Sequence, residues 1–201
     1  MIDKYIDNAQ NGVSSLTDDI LNLEGMSSFA IRHLLNNIMS QPNINYLEIG
    51  VYRGSTFVSA LYKNEVNATA IDNWSFWGDG TKDVFLNNCA KFNIRGFNLI
   101  EQDSFSLDLS QIKDKVNVYF YDGDHTTDST VKSLSYYYPV LADEFLYIVD
   151  DLNWDFVSVG VYDGIRECNF DVKGKWELMS NFTGDKDTWW NGIDLYQLKK
   201  K

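Results

Sequence analysis

The chain has 201 residues, 44% of them hydrophobic, 23% charged and 15% aromatic, which excludes disordered, collagenous and membrane-embedded classes. Acidic residues outnumber basic ones by 29 to 17, and the formal charge of -12 repels phosphate backbones and anionic lipid. Nucleic-acid and membrane partners are therefore not expected, and the length predicts one domain over residues 1–201, since domains run to about 150 residues.

The opening MIDKYIDNAQ is polar and acidic, unlike a secretory signal, and no stretch approaches the ~20 apolar residues of a membrane span. With Cys89 and Cys168 as the two cysteines, no disulfide framework is expected, and the predicted location is a reducing cytoplasm. Residues 1–26 are rich in Asn, Asp and Ser and read as a polar appendage to a core over 27–201. Ser27 or Ser28 then caps a helix whose apolar positions Ile31, Leu34, Leu35 and Ile38 follow the 3.6-residue period.

From there the pattern alternates. Apolar runs of strand character fall at 46–49, 68–71, 97–100, 116–121 and 145–149. Helical stretches separate them at 56–62, 82–92, weakly at 107–113, and at 128–141. Cys89 shares an apolar helical stripe with Phe85 and Phe92 and is expected in the core. Strands alternating with helices imply right-handed crossovers and a parallel sheet covered on both faces. A helical segment at 156–168 then leads to two strand-like runs, 176–182 and 193–198, that form a hairpin. The predicted fold class is α/β: a Rossmann-like three-layer sandwich on a seven-stranded, mostly parallel sheet, with one antiparallel strand in the carboxyl-terminal hairpin.

Each of the five parallel strands carries an acidic residue in it or just after it: Glu48, Asp72, Asp103, Asp122 and Asp150. Asp is also a common turn and cap residue, but five in register mark the carboxyl edge of the sheet, where open α/β folds bind ligands. Residues 46–56 read as strand, glycine turn and helix start, with Gly50 allowing close ligand approach. The spacing Glu-x-Gly-x-x-x-Gly is not the G-x-G-x-x-G that cradles a pyrophosphate, and Glu48 suits a cationic ligand better. Asp72, about 20 residues on, is placed for ribose hydroxyls, and Gln102, Asp103 and Ser104 for an adenine edge.

On LEIGVYRGS at 47–55, IDNW at 71–74, EQDS at 101–104, YDGDH at 121–125 and IVDD at 148–151, the chain resembles a class I S-adenosylmethionine-dependent methyltransferase. It most resembles the subgroup of macrocin-type sugar O-methyltransferases, over about residues 46–153. The resemblance implies that Glu48, Gly50, Gly54 and Ser55 contact the methionine and ribose parts. It further implies Asp72, Asn73 and Trp74 at the ribose, Asp103 and Ser104 beside adenine, and Asp122 at the cofactor. Asp143-Glu144 stands where the family carries Gly-Gly, in the turn expected before strand five.

Asp122, Asp124, Asp150 and Asp151 converge after strands four and five, and such carboxylates repel unless protonated or neutralised by a cation. All-oxygen ligands favour a hard ion, Mg²⁺. The resemblance implies Asp122, Asp150 and Asp151 as its ligands, Asn153 as a weaker one, and Asp124 or His125 as the base. His125 can equally serve as a structural cap, and His33 is expected on the surface or satisfied in the core. Trp74, Phe76 and Trp77 in loop 73–81, with Trp154, Trp189 and Trp190, offer aromatic faces that fit sugars and rings alike. The expected acceptor is a small sugar or polyol-like molecule, and homo-oligomers are compatible with the sequence. An NAD-dependent oxidoreductase and a non-catalytic S-adenosylmethionine-binding protein are the competing readings. The incomplete glycine fingerprint argues against the first and the self-repelling carboxylates against the second.

Overall fold

A computed structural model describes residues 1–76 and 78–201. Trp77, expected in the aromatic loop, lies outside the described residues. The chain opens with helices α1 (Ile2–Gln10), α2 (Asp18–Leu21) and α3 (Phe29–Met39). Strands and helices then alternate: β1 (Ile44–Ile49), α4 (Ser55–Leu61), β2 (Val66–Ile71), α5 (Thr81–Lys91) and β3 (Asn98–Ile100). They continue through β4 (Val116–Tyr121), α6 (Thr127–Ser135), β5 (Leu141–Asp150) and α7 (Asp155–Glu167) to β6 (Asp171–Leu178) and β7 (Ile193–Lys199).

The seven strands form one sheet in the order β3-β2-β1-β4-β5-β7-β6. β7 runs antiparallel between β5 and β6, and the other pairings are parallel. The strand order reverses between β1 and β4, which end level with each other at Ile49 and Tyr121. That reversal opens a crevice at the carboxyl edge.

Apolar residues cover both faces of the sheet. Ile31, Leu34, Leu35 and Ile38 of α3, with Phe57 of α4 and Phe85 of α5, pack on Tyr46, Phe120 and Ile148. Leu134 of α6 and Val157, Val161 and Ile165 of α7 pack on Leu47, Tyr119 and Tyr147. Ser28 caps α3 by accepting from Ile31 N at 3.2 Å. Cys89 is buried beside Phe85, and His33 is buried with Nδ1 2.7 Å from Ser14 Oγ.

Four expectations are corrected. Residues 1–26 are not an appendage: Ile2, Ile6, Ala9 and Ile20 belong to the core, and α1 packs on α3. The guanidinium of Arg32 binds this segment in place, donating to Leu21 O at 2.6 Å, Leu23 O at 2.8 Å and Ser27 Oγ at 2.9 Å. The helix expected over 128–141 ends at Ser135, and Leu141 already starts β5. Pro139 has no N–H to give a helix, and the following Val140 carbonyl accepts from Val116 N, which begins the strand pairing. Asp143-Glu144 consequently lies inside β5 and not in a turn. The weak helix at 107–113 shrinks to one 3-10 turn, Leu109–Gln111.

Candidate active site

A cleft of about 410 Å³ opens at the carboxyl edge. Its wall is built from the ends of the strands on both sides of the reversal: Ile49 and Gly50, then Ile71, Asp72 and Asn73. Gln102, Asp103 and Ser104 after β3, and Asp122 to His125 after β4, complete it, with Met26, Tyr52, Ser75 and Phe76 at its border.

Gly50 sits at φ 86° and its N donates to Ile71 O at 2.9 Å. A Cβ there would meet Asp122 O at 1.9 Å, so the meeting of the turns after β1 and β4 requires glycine. Asp72 accepts from Tyr52 N and Trp74 N, one on each carboxylate oxygen, both at 2.8 Å. Burial raises its pKa, and these backbone N–H groups oppose the rise. Tyr52 and Trp74 hold φ of 45° and 49° to aim their amides at Asp72. Asp103 accepts from Phe105 N at 2.9 Å, which fixes the turn that carries Ser104.

Glu48, Gly54, Ser55 and Trp74 lie behind this lining. Glu48 is fully buried under α4 and accepts from Tyr46 OH and Thr56 Oγ1, each at 2.6 Å. Burial outweighs those bonds and lifts its carboxyl from an ordinary 4.5 to about 8. Gly54 and Ser55 start α4 under the core, and Trp74 donates from Nε1 to Tyr52 O at 2.8 Å while packing on Phe85. These four residues shape the turns around the cleft from the core side.

The acidic cluster adjoins the cleft at Asp122 and His125. His125 Nε2 lies 2.7 Å from Asp151 Oδ2, close but not aligned as a hydrogen bond, and 3.5 Å from Asp122 Oδ1. The ring stands edge-on to Trp154, with centroids 5.4 Å apart. Burial pulls the imidazole pKa down, but the two carboxylates outweigh it and leave His125 at about 10. Asp122 keeps 23% of its side-chain surface, yet desolvation lifts it to about 6, opposed by His125 and reinforced by the charge of Asp151. Asp124 belongs to the start of α6 instead. It accepts from Thr126 Oγ1 at 2.9 Å and closely from Ser129 Oγ, and these bonds outweigh its burial and lower its pKa.

Asp150 and Asp151 are both buried. Asp151 stands at φ 64° and accepts from Asn191 Nδ2 at 2.6 Å. Among the described residues, Asp150 Oδ1 has no hydrogen-bond partner. Burial first, then the charges of Asp122 and Asp151, push its pKa well up. Ligand atoms of Asp122, His125 and Asp151 come within 4.8 Å of one another, so His125 stands where Asp150 was expected in the trio. Asn153, the weaker candidate, is turned to Ser180: its Nδ2 donates to Ser180 Oγ at 2.8 Å and its Oδ1 accepts from Ser180 N at 3.3 Å. An orphaned buried carboxylate oxygen beside two more carboxylates is a donor set that fits a hard divalent cation.

Sequence reasoning missed Met26, hidden in the supposed appendage, and Asn191. The signal for Asn191 lay in the hairpin: β7 runs antiparallel to β5, with Asp150 opposite Ile193, so the residues just before β7 come to the acidic edge.

A family model described as a methyltransferase domain matches residues 47–152, more than half of the chain. Among solved structures the chain is similar to the O-methyltransferase from Bacillus cereus in complex with SAH, at 14% identity and TM-score 0.67, covering 99% of this chain and 100% of that one. It is similar to Podospora anserina methyltransferase PaMTH1 bound to SAH, at 14% identity and TM-score 0.62, covering 99% and 88%. The chain spans about half the length of a candidate S-adenosylmethionine-dependent methyltransferase from Streptococcus mutans, covering 47% of it with 84% of its own residues, at 12% identity and TM-score 0.60. Such identities speak for the fold. No curated protein matches the chain by sequence. With its strand order, the cleft at the reversal and the family match over both strand-end clusters, the chain has a Rossmann-like methyltransferase fold and belongs to the methyltransferase-domain family.

Proposed function

We propose that the protein methylates a hydroxyl oxygen of a small polyhydroxylated acceptor, as macrocin-type sugar O-methyltransferases do, with Mg²⁺ at the acidic cluster. The observation that carries this reading is the continuity of the cleft: Asp72, Asp103 and Ser104 line one flank and Asp122 and His125 the other. Asp72 retains a lone pair on each oxygen for ribose hydroxyls, and Asp103 and Ser104 flank the adenine. Gly50, with no side chain, lets the turn after β1 close onto Asp122, and the methionine portion lies along the cleft wall that these two turns form.

S-adenosylmethionine supplies an electrophilic methyl on a sulfonium, whose positive charge suits a wall of carboxylates. A divalent ion held by Asp122 and Asp151, with Asp150 beside them, would lower the pKa of the acceptor hydroxyl. A cation on Asp122 and Asp151 would neutralise the charges that hold His125 protonated, and the freed imidazole then takes the hydroxyl proton, because Asp124 is already occupied at the start of α6. The freed oxygen attacks the methyl as the carbon–sulfur bond breaks, and the sulfur leaves as a neutral thioether. The cluster's main contribution is to position the acceptor in line.

The charge of -12 supports a small acceptor over RNA, and free Cys89 and Cys168 suit a reducing compartment such as the cytoplasm. A dehydrogenase has no support in the family to which the chain belongs. The test is calorimetry with S-adenosylmethionine and NAD, followed by an SAH-release assay over sugars, catechols and RNA, with Mg²⁺ or chelator. Binding of NAD alone, or turnover confined to RNA, would overturn the proposal. Turnover on a polyol that chelator abolishes is the expected result.

A further inference from the structure

The turn after β5 is closed by a loop that the proposed chemistry leaves unused. Residues 179–192 fold back along residues 151–154. Leu152 N donates to Gly192 O at 3.1 Å and Asn153 N to Asn191 O at 2.8 Å. Gly192 stands at φ 85°, and a Cβ there would meet Asn153 Oδ1 at 2.5 Å and Leu152 Cβ at 3.1 Å, so a side chain at this position would push the Asn153 amide aside. Within the loop, Asp185 accepts from Asp187 N at 3.1 Å and Thr188 Oγ1 at 2.7 Å.

Asn191 is the member of this loop that reaches the acidic cluster. Its Nδ2 donates to Asp151 Oδ1 at 2.6 Å, and its Oδ1 accepts from Gly184 N at 2.7 Å. Both neighbours have a single role: a carboxylate accepts and a backbone N–H donates. A flipped amide would set acceptor against acceptor and donor against donor, so its orientation is forced. The side chain is buried, and water does not compete for Asp151 Oδ1. Meanwhile Asp151 Oδ2 is the oxygen 2.7 Å from His125 Nε2.

We propose that Asn191 is the positioning residue of the acidic cluster: it takes up one oxygen of Asp151 and leaves the other presented to His125 and to a divalent cation. The inference rests on the metal-assisted reading above. A carboxylate anchored at one oxygen has one orientation and one free ligand atom. Without the anchor, Asp151 swings between its neighbours, and the trio loses its spacing. Partners of this kind commonly change metal affinity by about 10–100-fold.

The experiment measures Mn²⁺ binding to the full chain by the resonance of the free ion, with SAH affinity measured by calorimetry on the same samples. Asn191→Ala is expected to weaken Mn²⁺ about tenfold or more while SAH affinity stays within about twofold. Asn191→Ser, whose hydroxyl can donate to Asp151, recovers part of the loss, and it carries the comparison if the alanine variant does not fold. Thr188→Ala removes a bond inside the same loop without touching Asp151, and it binds Mn²⁺ like the wild type. Equal Mn²⁺ affinity in the Asn191 variants and the wild type overturns this inference and leaves the metal reading standing. An equal loss in Thr188→Ala also overturns it, by assigning the effect to the loop as a whole. Wild-type protein that binds SAH but no Mn²⁺ overturns the metal reading itself, and this inference with it.

Discussion

Asp151 Oδ2 approaches His125 Nε2 to 2.7 Å, while the adjacent Asp124 is bonded to Thr126 and Ser129 at the start of α6. The two candidate bases are therefore separated by their partners. His125→Ala should lower methyl transfer by about 10²–10⁴-fold with SAH affinity nearly unchanged. Asp124→Ala should cost about 1 kcal/mol of stability or less, given its exposure, and leave turnover of the folded enzyme within severalfold. SAH-release kinetics and urea unfolding measure both. A reversed pattern would move the base to Asp124.

Asp72 carries the ribose end of the proposal. Its two oxygens take Tyr52 N and Trp74 N, which hold two left-handed residues in place at the cleft. Asp72→Ala removes the ribose acceptor and leaves both amides unpaired. Hydrogen bonds to a charged group are worth about 1.5–3 kcal/mol, so SAH affinity should fall about 10–100-fold. Calorimetry decides it, and an unchanged dissociation constant would place the ribose elsewhere.

The sheet and the acidic edge were readable because each parallel strand is a short apolar run that stops at a carboxylate. Glu48 obeys that same rule in sequence, yet its side chain lies under α4 behind the cleft lining. Strand side chains alternate, so with Leu47 and Ile49 facing the α6–α7 layer, Glu48 and Tyr46 face α4, and Thr56 takes the carboxylate. The stripe Ile2, Ile6, Ala9 was present in the sequence but masked by the polar residues around it. In the stretch 128–141, Leu134 satisfies the helix and Leu141 a strand, and period alone cannot separate them. The Asn191–Asp151 bond spans forty residues and exists only through the register of β7 on β5, which composition and spacing do not encode.

Gly50 offers a test of how tightly the cleft is built. Gly50→Ala must place a Cβ 1.9 Å from the Asp122 carbonyl oxygen while holding φ at 86°. Gly96 supplies the control: its φ is 77°, and among the described residues nothing lies within 4 Å of its Cβ position. Gly96→Ala should cost about 1–2 kcal/mol from backbone strain alone and keep SAH binding. Gly50→Ala should cost more than that and weaken SAH, since relieving the contact moves Asp122. Equal losses in the two variants, with SAH affinity retained in both, would show that β1 and β4 are not held together at this point.

Glu48 makes stability depend on pH. Its carboxyl is raised from an ordinary 4.5 to about 8 in the folded chain, first by burial. In that window the folded state holds a proton that the unfolded state has released. Stability from Glu48 is therefore complete below about pH 4.5 and is lost as pH rises through about 8, with a slope of at most about 1.4 kcal/mol per pH unit. Glu48→Gln keeps the shape and stays neutral throughout. Its Oε1 can accept from one hydroxyl, and its Nε2 can donate to the other once Tyr46 or Thr56 turns its own proton away. The variant should match the wild type near pH 5 and become the more stable of the two by pH 8. His125 and Asp194 are raised as well, so some decline with pH persists in the variant, only shallower. Urea unfolding at pH 5, 6.5 and 8 measures the difference. Two parallel profiles would mean that Glu48 is ionised in the core, with the hydroxyls of Tyr46 and Thr56 sufficient to hold its charge.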